Sequence, residues 1–116
     1  MTKRNDKSWL KDIYLSIEKI EKHPQYSQGR AGYDADEYFR GWVYLHIERI
    51  CEAASHLCKD HDYDKKYPDL PWRNIIGTRI VLAHCYWNIE EDVIWNVVVQ
   101  HLPILKARTQ EWLVLE

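Results

Sequence analysis

Three residues in the C-terminal third of the sequence, Arg79, His84 and Tyr86, have side chains that could perform chemistry on a phosphate. An arginine can hold a phosphate through two parallel hydrogen bonds. An imidazole that titrates near neutrality can act as a general acid or base, and the last turn of a helix favours its charged form. A tyrosine at a helix corner can present its hydroxyl to a partner. The alternative interpretation is an ordinary trio at the edge of a core, with no chemistry.

The spacing of these residues limits how they can meet. Arg79 and Tyr86 are seven residues apart and would share one face of a helix, about two turns from each other. His84 is five residues from Arg79, which places it about 140° around an ideal helix. The two side chains could converge only if the helix end unwinds or if a second copy of the site faces the first.

The helices that must position these three residues are predicted from apolar residues that recur three and four positions apart along the chain. They predict an all-α fold, an antiparallel bundle of four to five helices. Pro103 should kink or restart the last helix, because a proline has no N–H to donate. The four predicted helices run from about Lys7 to Lys22, Asp36 to Lys59, Trp72 to Tyr86, and Ile89 to Leu113.

Two connections and two caps complete the predicted bundle. The stretch from Gln25 to Tyr33, which contains two glycines, is predicted to be a loop, and Asp60 to Leu70 is predicted to be a charged loop. Asp69 can cap the third helix. Asn88 with Glu91 has the pattern of a capping box, which would separate the third helix from the fourth.

The composition is that of one folded domain, residues 1–116. Hydrophobic residues make up 46% of the chain, and six Trp and eight Tyr suit partly buried surfaces such as interfaces. The net charge of -2 argues against broad electrostatic binding to nucleic acid but leaves room for a local cationic site. No apolar run predicts a signal peptide or a membrane span, and three cysteines without a CxxC pair suit the reducing cytoplasm.

The R-x4-H-x-Y pattern on the third predicted helix resembles the HepT family of the HEPN superfamily, the toxins of MNT/HepT toxin–antitoxin pairs. The similarity extends from Trp9 to Trp112 and is weakest over residues 23–38. Besides the motif, it rests on four segments: Ile50-Cys51-Glu52-Ala53-Ala54, the run from Tyr67 to Gly77, Glu91 to Trp95, and Leu102 to Leu105.

The resemblance implies a metal-independent endoribonuclease without a cofactor, formed as a homodimer with a cleft on its two-fold axis. In such a site Arg79 would hold the scissile phosphate of RNA. His84 would move protons as the 2′-hydroxyl attacks and the 5′-oxygen leaves. The resemblance also implies that an MNT-type nucleotidyltransferase antitoxin neutralises the toxin by adding adenylyl groups to Tyr86.

Two positions depart from the family pattern. Ile80 stands where a polar residue usually follows the motif arginine, and Cys85 stands where a glycine usually separates the histidine from the tyrosine. The Ile80 departure favours an alternative function, that of a non-catalytic helical companion subunit of a nucleotidyltransferase that binds nucleotide or RNA. A structural dimer with no role in nucleic-acid chemistry is a third hypothesis.

Other polar residues have weaker claims to function. His56, Cys58 and His61 lack the paired spacing of a zinc site, so a helix end that runs into a charged loop is the preferred interpretation. His46 falls on an apolar stripe and is expected to be a satisfied histidine of the core or of an interface. Four arginines could extend a local RNA-binding surface or could simply face solvent: Arg30, Arg40, Arg49 and Arg73.

Overall fold

The computed structural model of the protein describes residues 3–84 and 89–114, without the side chain of residue 84. Within those ranges the chain is helical and contains no strand, which confirms the predicted all-α, HEPN-like bundle. In chain order the helices are α1 Asp6–Glu21, α2 Gly29–Ala35, α3 Glu37–His61, α4 Tyr63–Lys66, α5 Trp72–His84, α6 Glu91–Asn96 and α7 Leu102–Val114. A 3₁₀ turn, Tyr26–Gln28, precedes α2, and a π-helical segment, Val97–His101, joins α6 to α7.

The long helices α1 and α3 form the centre of the bundle, as their apolar spacing predicts. α3 packs against α1 on one side and α5 on the other, and α1 also packs against α7. The start of each central helix is capped, by the Asn5 side chain on the N–H of Ser8 and by Asp36 on the N–H of Phe39. Burial of each apolar side chain between them contributes roughly 1.5–3 kcal/mol. The buried residues of these two helices include Ile13, Ile17, Val43, Ile47 and Ile50.

The predicted loop from Gln25 to Tyr33 is instead a 3₁₀ turn followed by α2. The reason is tertiary, because the Tyr33 ring is fully buried against Trp95, with ring centroids 4.8 Å apart. Gly32 permits the tight packing of this turn, since a Cβ there would lie 2.6 Å from the Cβ of Gln28. Gly32 therefore marks a close approach of the backbone rather than a loop, and Gly29 supplies a positive φ of 64° at the start of α2.

The second predicted loop, Asp60 to Leu70, contains the short helix α4. Asp62 adopts a left-handed conformation, with φ 58°, and ends α3. Tyr63 is then buried with its ring 5.3 Å from that of Trp112 in α7. The Asp69 carboxylate, predicted to cap the following helix, accepts a 2.6 Å hydrogen bond from Arg108 of α7. Contacts with α7 thus order this connection.

The C-terminal third differs from a single kinked helix. α6 begins at Glu91, two residues later than the predicted Ile89, and Asn88 of the predicted capping box lies outside the described residues. Pro103 restarts the helix as predicted, with α7 beginning one residue before it. The turn before it widens into the π segment, where the N–H of Leu102 donates to the carbonyl of Val97.

Candidate functional site

Arg79 lies exposed on α5, and its guanidinium forms no ion pair with any residue the structure describes. α5 continues as a regular helix through the backbone of His84, so the two positions stay about 140° apart around its axis. Unwinding before residue 84 therefore does not bring them together in one chain. The side chain of His84 and the whole of Tyr86 lie outside the described residues.

The turn of α5 that carries Arg79 is fixed by Cys51 of α3. The Cys51 thiol is 1% exposed and donates a hydrogen bond of 3.0 Å to the carbonyl oxygen of Ile75. Burial raises the pKa of Cys51 to about 12, while the backbone N–H and the charge of Arg79 act in the opposite direction. The thiol therefore remains protonated at neutral pH and can act as a donor. Ile75 is one helical turn before Arg79, so this contact joins α3 to the turn of α5 that leads to the arginine.

Ile80, the departure from the family pattern, is a surface residue. Its side chain is 62% exposed, and it borders a cleft with Ile76, Gly77 and Trp72. Because neighbouring residues on a helix differ by about 100°, Ile80 occupies a different face of α5 from Arg79. In the single chain this apolar side chain is therefore largely in contact with solvent.

The sequence predicts Glu91 as part of a capping box, but it does not predict the tertiary hydrogen bonds that this residue accepts. Its carboxylate accepts hydrogen bonds of 2.7 Å from the Tyr33 hydroxyl and 2.5 Å from the Tyr44 hydroxyl. Burial and this acceptor raise the pKa of Tyr44 to about 12. Glu91 thus ties the start of α6 to α2 and α3. The partners lie 47 and 58 residues away in sequence, and no local pattern signals such a pair.

The structure separates the four arginines considered from the sequence into two groups. Arg30 pairs with Asp34 and Asp92, each at 2.8 Å. Arg40 donates to the carbonyl oxygens of residues 33 and 34 and lies 3.7 Å from Glu91. Arg49 and Arg73 are exposed, and neither has an ion-pair partner within the described ranges. The first pair is held by contacts within the fold, and the second is exposed to solvent.

The histidines considered as metal ligands have other contacts. The His56 ring stacks on Trp9 at 4.3 Å, and its Nδ1 lies 3.2 Å from the Asp60 carboxylate. His61 Nε2 donates to the carbonyl of Arg4 at 2.9 Å. No group of three or more His, Cys, Asp or Glu among the described residues could hold a metal ion.

His46 is a core histidine, as expected, but only one of its nitrogens has a partner. The residue is 1% exposed, and Nδ1 lies 3.2 Å from the Ser16 hydroxyl. Nε2 has no hydrogen-bond partner in the described part of the chain. Burial, together with the charges of Arg49 and Lys19, lowers the pKa of His46 to about 4.

The protein is thus of the small all-α class, and the exposed arginine on α5 makes this helix a candidate for binding a phosphate. The chain belongs to the ribonuclease HepT-like family, which matches residues 13–112. It is 27% identical to a protein of Methanocaldococcus jannaschii assigned as an RNase, over 95% of this chain and 98% of that one. It is 29% identical to a protein of Thermococcus cleftensis assigned as a ribonuclease HepT, over 94% and 96% of the two chains. No solved structure gives a significant match.

None of the helices that the structure describes combines the length and the apolar character needed to cross a membrane.

Proposed function

We propose that the protein is the ribonuclease toxin of an MNT/HepT toxin–antitoxin pair, active in the cytoplasm. The observation that carries this proposal is the exposed guanidinium of Arg79, unpaired among the described residues, on the same helix as His84. The two residues have the spacing of the family motif, and the family name and the names of the relatives refer to ribonucleases.

In the proposed reaction the RNA supplies its own nucleophile. Arg79 binds the non-bridging oxygens of the scissile phosphate and balances their developing charge. His84 takes the proton of the 2′-hydroxyl as its oxygen forms a bond to phosphorus, and an imidazolium gives a proton to the departing 5′-oxygen. The products are a 2′,3′-cyclic phosphate and a 5′-hydroxyl end. No metal ion is needed.

The proposed site takes residues from two copies of the chain. Since the backbone of α5 holds positions 79 and 84 about 140° apart, Arg79 of one protomer would meet His84 of its partner. The exposed Ile80 beside them would lie in the dimer interface, where an apolar residue is favourable. This role also accounts for an isoleucine where the family usually has a polar residue.

Incubation of purified protein with single-stranded RNA in the presence of a metal chelator tests the activity. Wild type should cleave the RNA and leave cyclic phosphate ends. Arg79→Ala and His84→Ala should each lower the rate by about 100-fold or more, because each removes a transition-state contact or a proton-transfer group. Arg49→Ala removes another exposed arginine and should keep the activity. Full activity in both site variants, with unchanged thermal melts, would reject the assignment.

We further propose that an MNT-type nucleotidyltransferase adenylylates Tyr86. An added phosphate, two turns from Arg79 on the same predicted helical face, would compete with RNA for the guanidinium and fill the cleft. Intact mass after incubation with that partner, ATP and magnesium should show whole adenylyl units on wild type and none on Tyr86→Phe. Equal modification of the variant would place the target elsewhere.

The alternative function is a non-catalytic companion subunit that binds nucleotide or RNA. The exposed Ile80 favours it, because it leaves Arg79 without the usual polar neighbour. Binding of RNA by wild type without cleavage, and growth that is unaffected by expression without the antitoxin, would support this alternative over the toxin.

A further inference from the structure

A cleft between α5 and the α6–π segment is lined in part by polar side chains that the proposed site does not use. Its volume is about 310 Å³, and we call it the α5–π cleft. Arg73 and Asn74 come from the first turn of α5, and Asn96 and His101 come from the opposite wall. Thr78 also lines the cleft, and its hydroxyl donates to the carbonyl oxygen of Asn74 at 2.8 Å. The rest of the lining is apolar.

The charge of the lining residues separates the α5–π cleft from four other clefts among the described residues. Four other clefts each have at least one carboxylate in their lining: Asp12 and Glu52 in one, and Asp64, Glu48 and Asp6 in the others. No acidic residue is among those that line the α5–π cleft, whereas an arginine and a histidine are. The α5–π cleft is therefore suited to an anion, and its Arg73 and Asn74 also border the neighbouring cleft that holds Asp64.

The polar groups of the α5–π cleft are available to a ligand. Among the described residues, the side chains of Arg73, Asn74, Asn96 and His101 have no hydrogen-bond or ion-pair partner. Guanidinium, amide and imidazole groups are all donors that proteins use for phosphate oxygens. Most other arginines on this fold are already paired, as Arg30 and Arg108 are. The cleft thus brings together hydrogen-bond donors that have no partner among the described residues.

The π segment is what places His101 in this cleft. Pro103 cannot donate an N–H, and the turn before it widens so that Leu102 donates to the carbonyl of Val97. Val97 and Val98 are buried by this turn, while His101 stays half-buried at the cleft. Such widened turns occur frequently at functional sites.

We propose that the α5–π cleft binds a second phosphate of the RNA strand, away from the bond that is cut. The proposal rests on the proposed ribonuclease function and extends it, because it requires a substrate longer than a dinucleotide. Arg73 and His84 are eleven residues apart and fall on the same face of α5, roughly 16 Å from each other along the axis. A single strand that lies along this face would reach both.

Binding of a 2′-O-methyl RNA oligonucleotide, which cannot be cleaved, measured by fluorescence anisotropy at several salt concentrations, tests the proposal. Arg73→Ala should weaken binding roughly tenfold and lower the salt dependence by about 0.7, the value for one phosphate contact on a single strand. Asn74→Asp changes no volume and puts a negative charge in the cleft, so it should weaken binding at least as much. An acidic residue in the first turn of α5 favours the helix, so this variant should fold.

Arg49→Ala is the matched control, since Arg49 is an exposed, unpaired arginine in a cleft that also holds Asp12 and Glu52. It should leave affinity and salt dependence near those of wild type. An unchanged salt dependence in Arg73→Ala, or an equal loss in Arg49→Ala, would overturn the proposal.

A parallel cleavage assay separates the two proposals. RNA that is bound through Arg73 but never cut would reject the ribonuclease and keep the phosphate site. Cleavage of long RNA with the same KM in wild type and Arg73→Ala would reject the phosphate site and keep the ribonuclease. Failure of wild type both to bind and to cut RNA would reject both.

Discussion

His46 shows how a single polar residue inside the bundle makes stability depend on pH. The imidazole is buried between α1 and α3, with Ser16 as its partner, and Arg49 and Lys19 are the charges that act on it. Its pKa in the folded protein is about 4, below the ordinary value of 6.5. A base with a lowered pKa binds its proton more readily in the unfolded chain, so protonation favours unfolding.

We therefore expect stability to be full above pH 6.5 and to fall as the pH drops towards 4. The contribution of His46 to this loss should be about 1.4 kcal/mol for each pH unit in that interval. His46→Leu removes the titrating group, so its unfolding free energy in urea should depend less on pH than that of wild type. The same pH dependence in both proteins would show that His46 is not the group responsible.

At the same scale, residue types and spacing could predict Arg79, His84 and Tyr86 as candidates, because those residues form a local pattern. They could not predict the α5–π cleft. Arg73 and His101 are 28 residues apart, and they line one cleft because of how α5 packs beside the π segment that carries the second. The hydrogen bond from Cys51 to α5 could not be predicted from the sequence either, since it depends on how α3 and α5 pack.

Helices α1 and α3 could be predicted to within a few residues, because both bury a continuous apolar stripe and begin at a side-chain cap. α2 could not, since a segment of seven residues with two glycines has little helical preference of its own. Its order comes from Tyr33, which is buried against Trp95 and bonded to Glu91. Short elements here depend on tertiary contacts that the sequence pattern does not contain.

α5 is the element on which the proposed function depends, and three of its faces differ in character. One carries Ile75, buried against α3 beside Cys51, and a second exposes Ile80. A third, with Asn74, borders the α5–π cleft. A helix that is apolar on one side only would need a single partner. α5 instead leaves surface for the proposed dimer partner and for the proposed phosphate site.

At the scale of the whole molecule, the net charge of -2 means that RNA is not attracted to the surface in general. Binding must therefore come from local groups such as Arg79 and Arg73, which are exposed and have no carboxylate paired to them in the described chain. The same reasoning supports the proposed dimer. One chain holds Arg79 and His84 on different faces of one helix, and a two-fold arrangement would bring an arginine and a histidine together.

A mixture of two inactive variants tests this central claim most directly. Arg79→Ala and His84→Ala, each first shown by light scattering to form dimers of wild-type size, are combined, allowed to exchange subunits, and assayed for cleavage of single-stranded RNA. A mixed dimer keeps one Arg79 and one His84 on different protomers, so we predict that mixing restores a substantial part of the wild-type activity. If the mixture stays as inactive as its components although mixed dimers have formed, a site shared between two copies of the chain is contradicted.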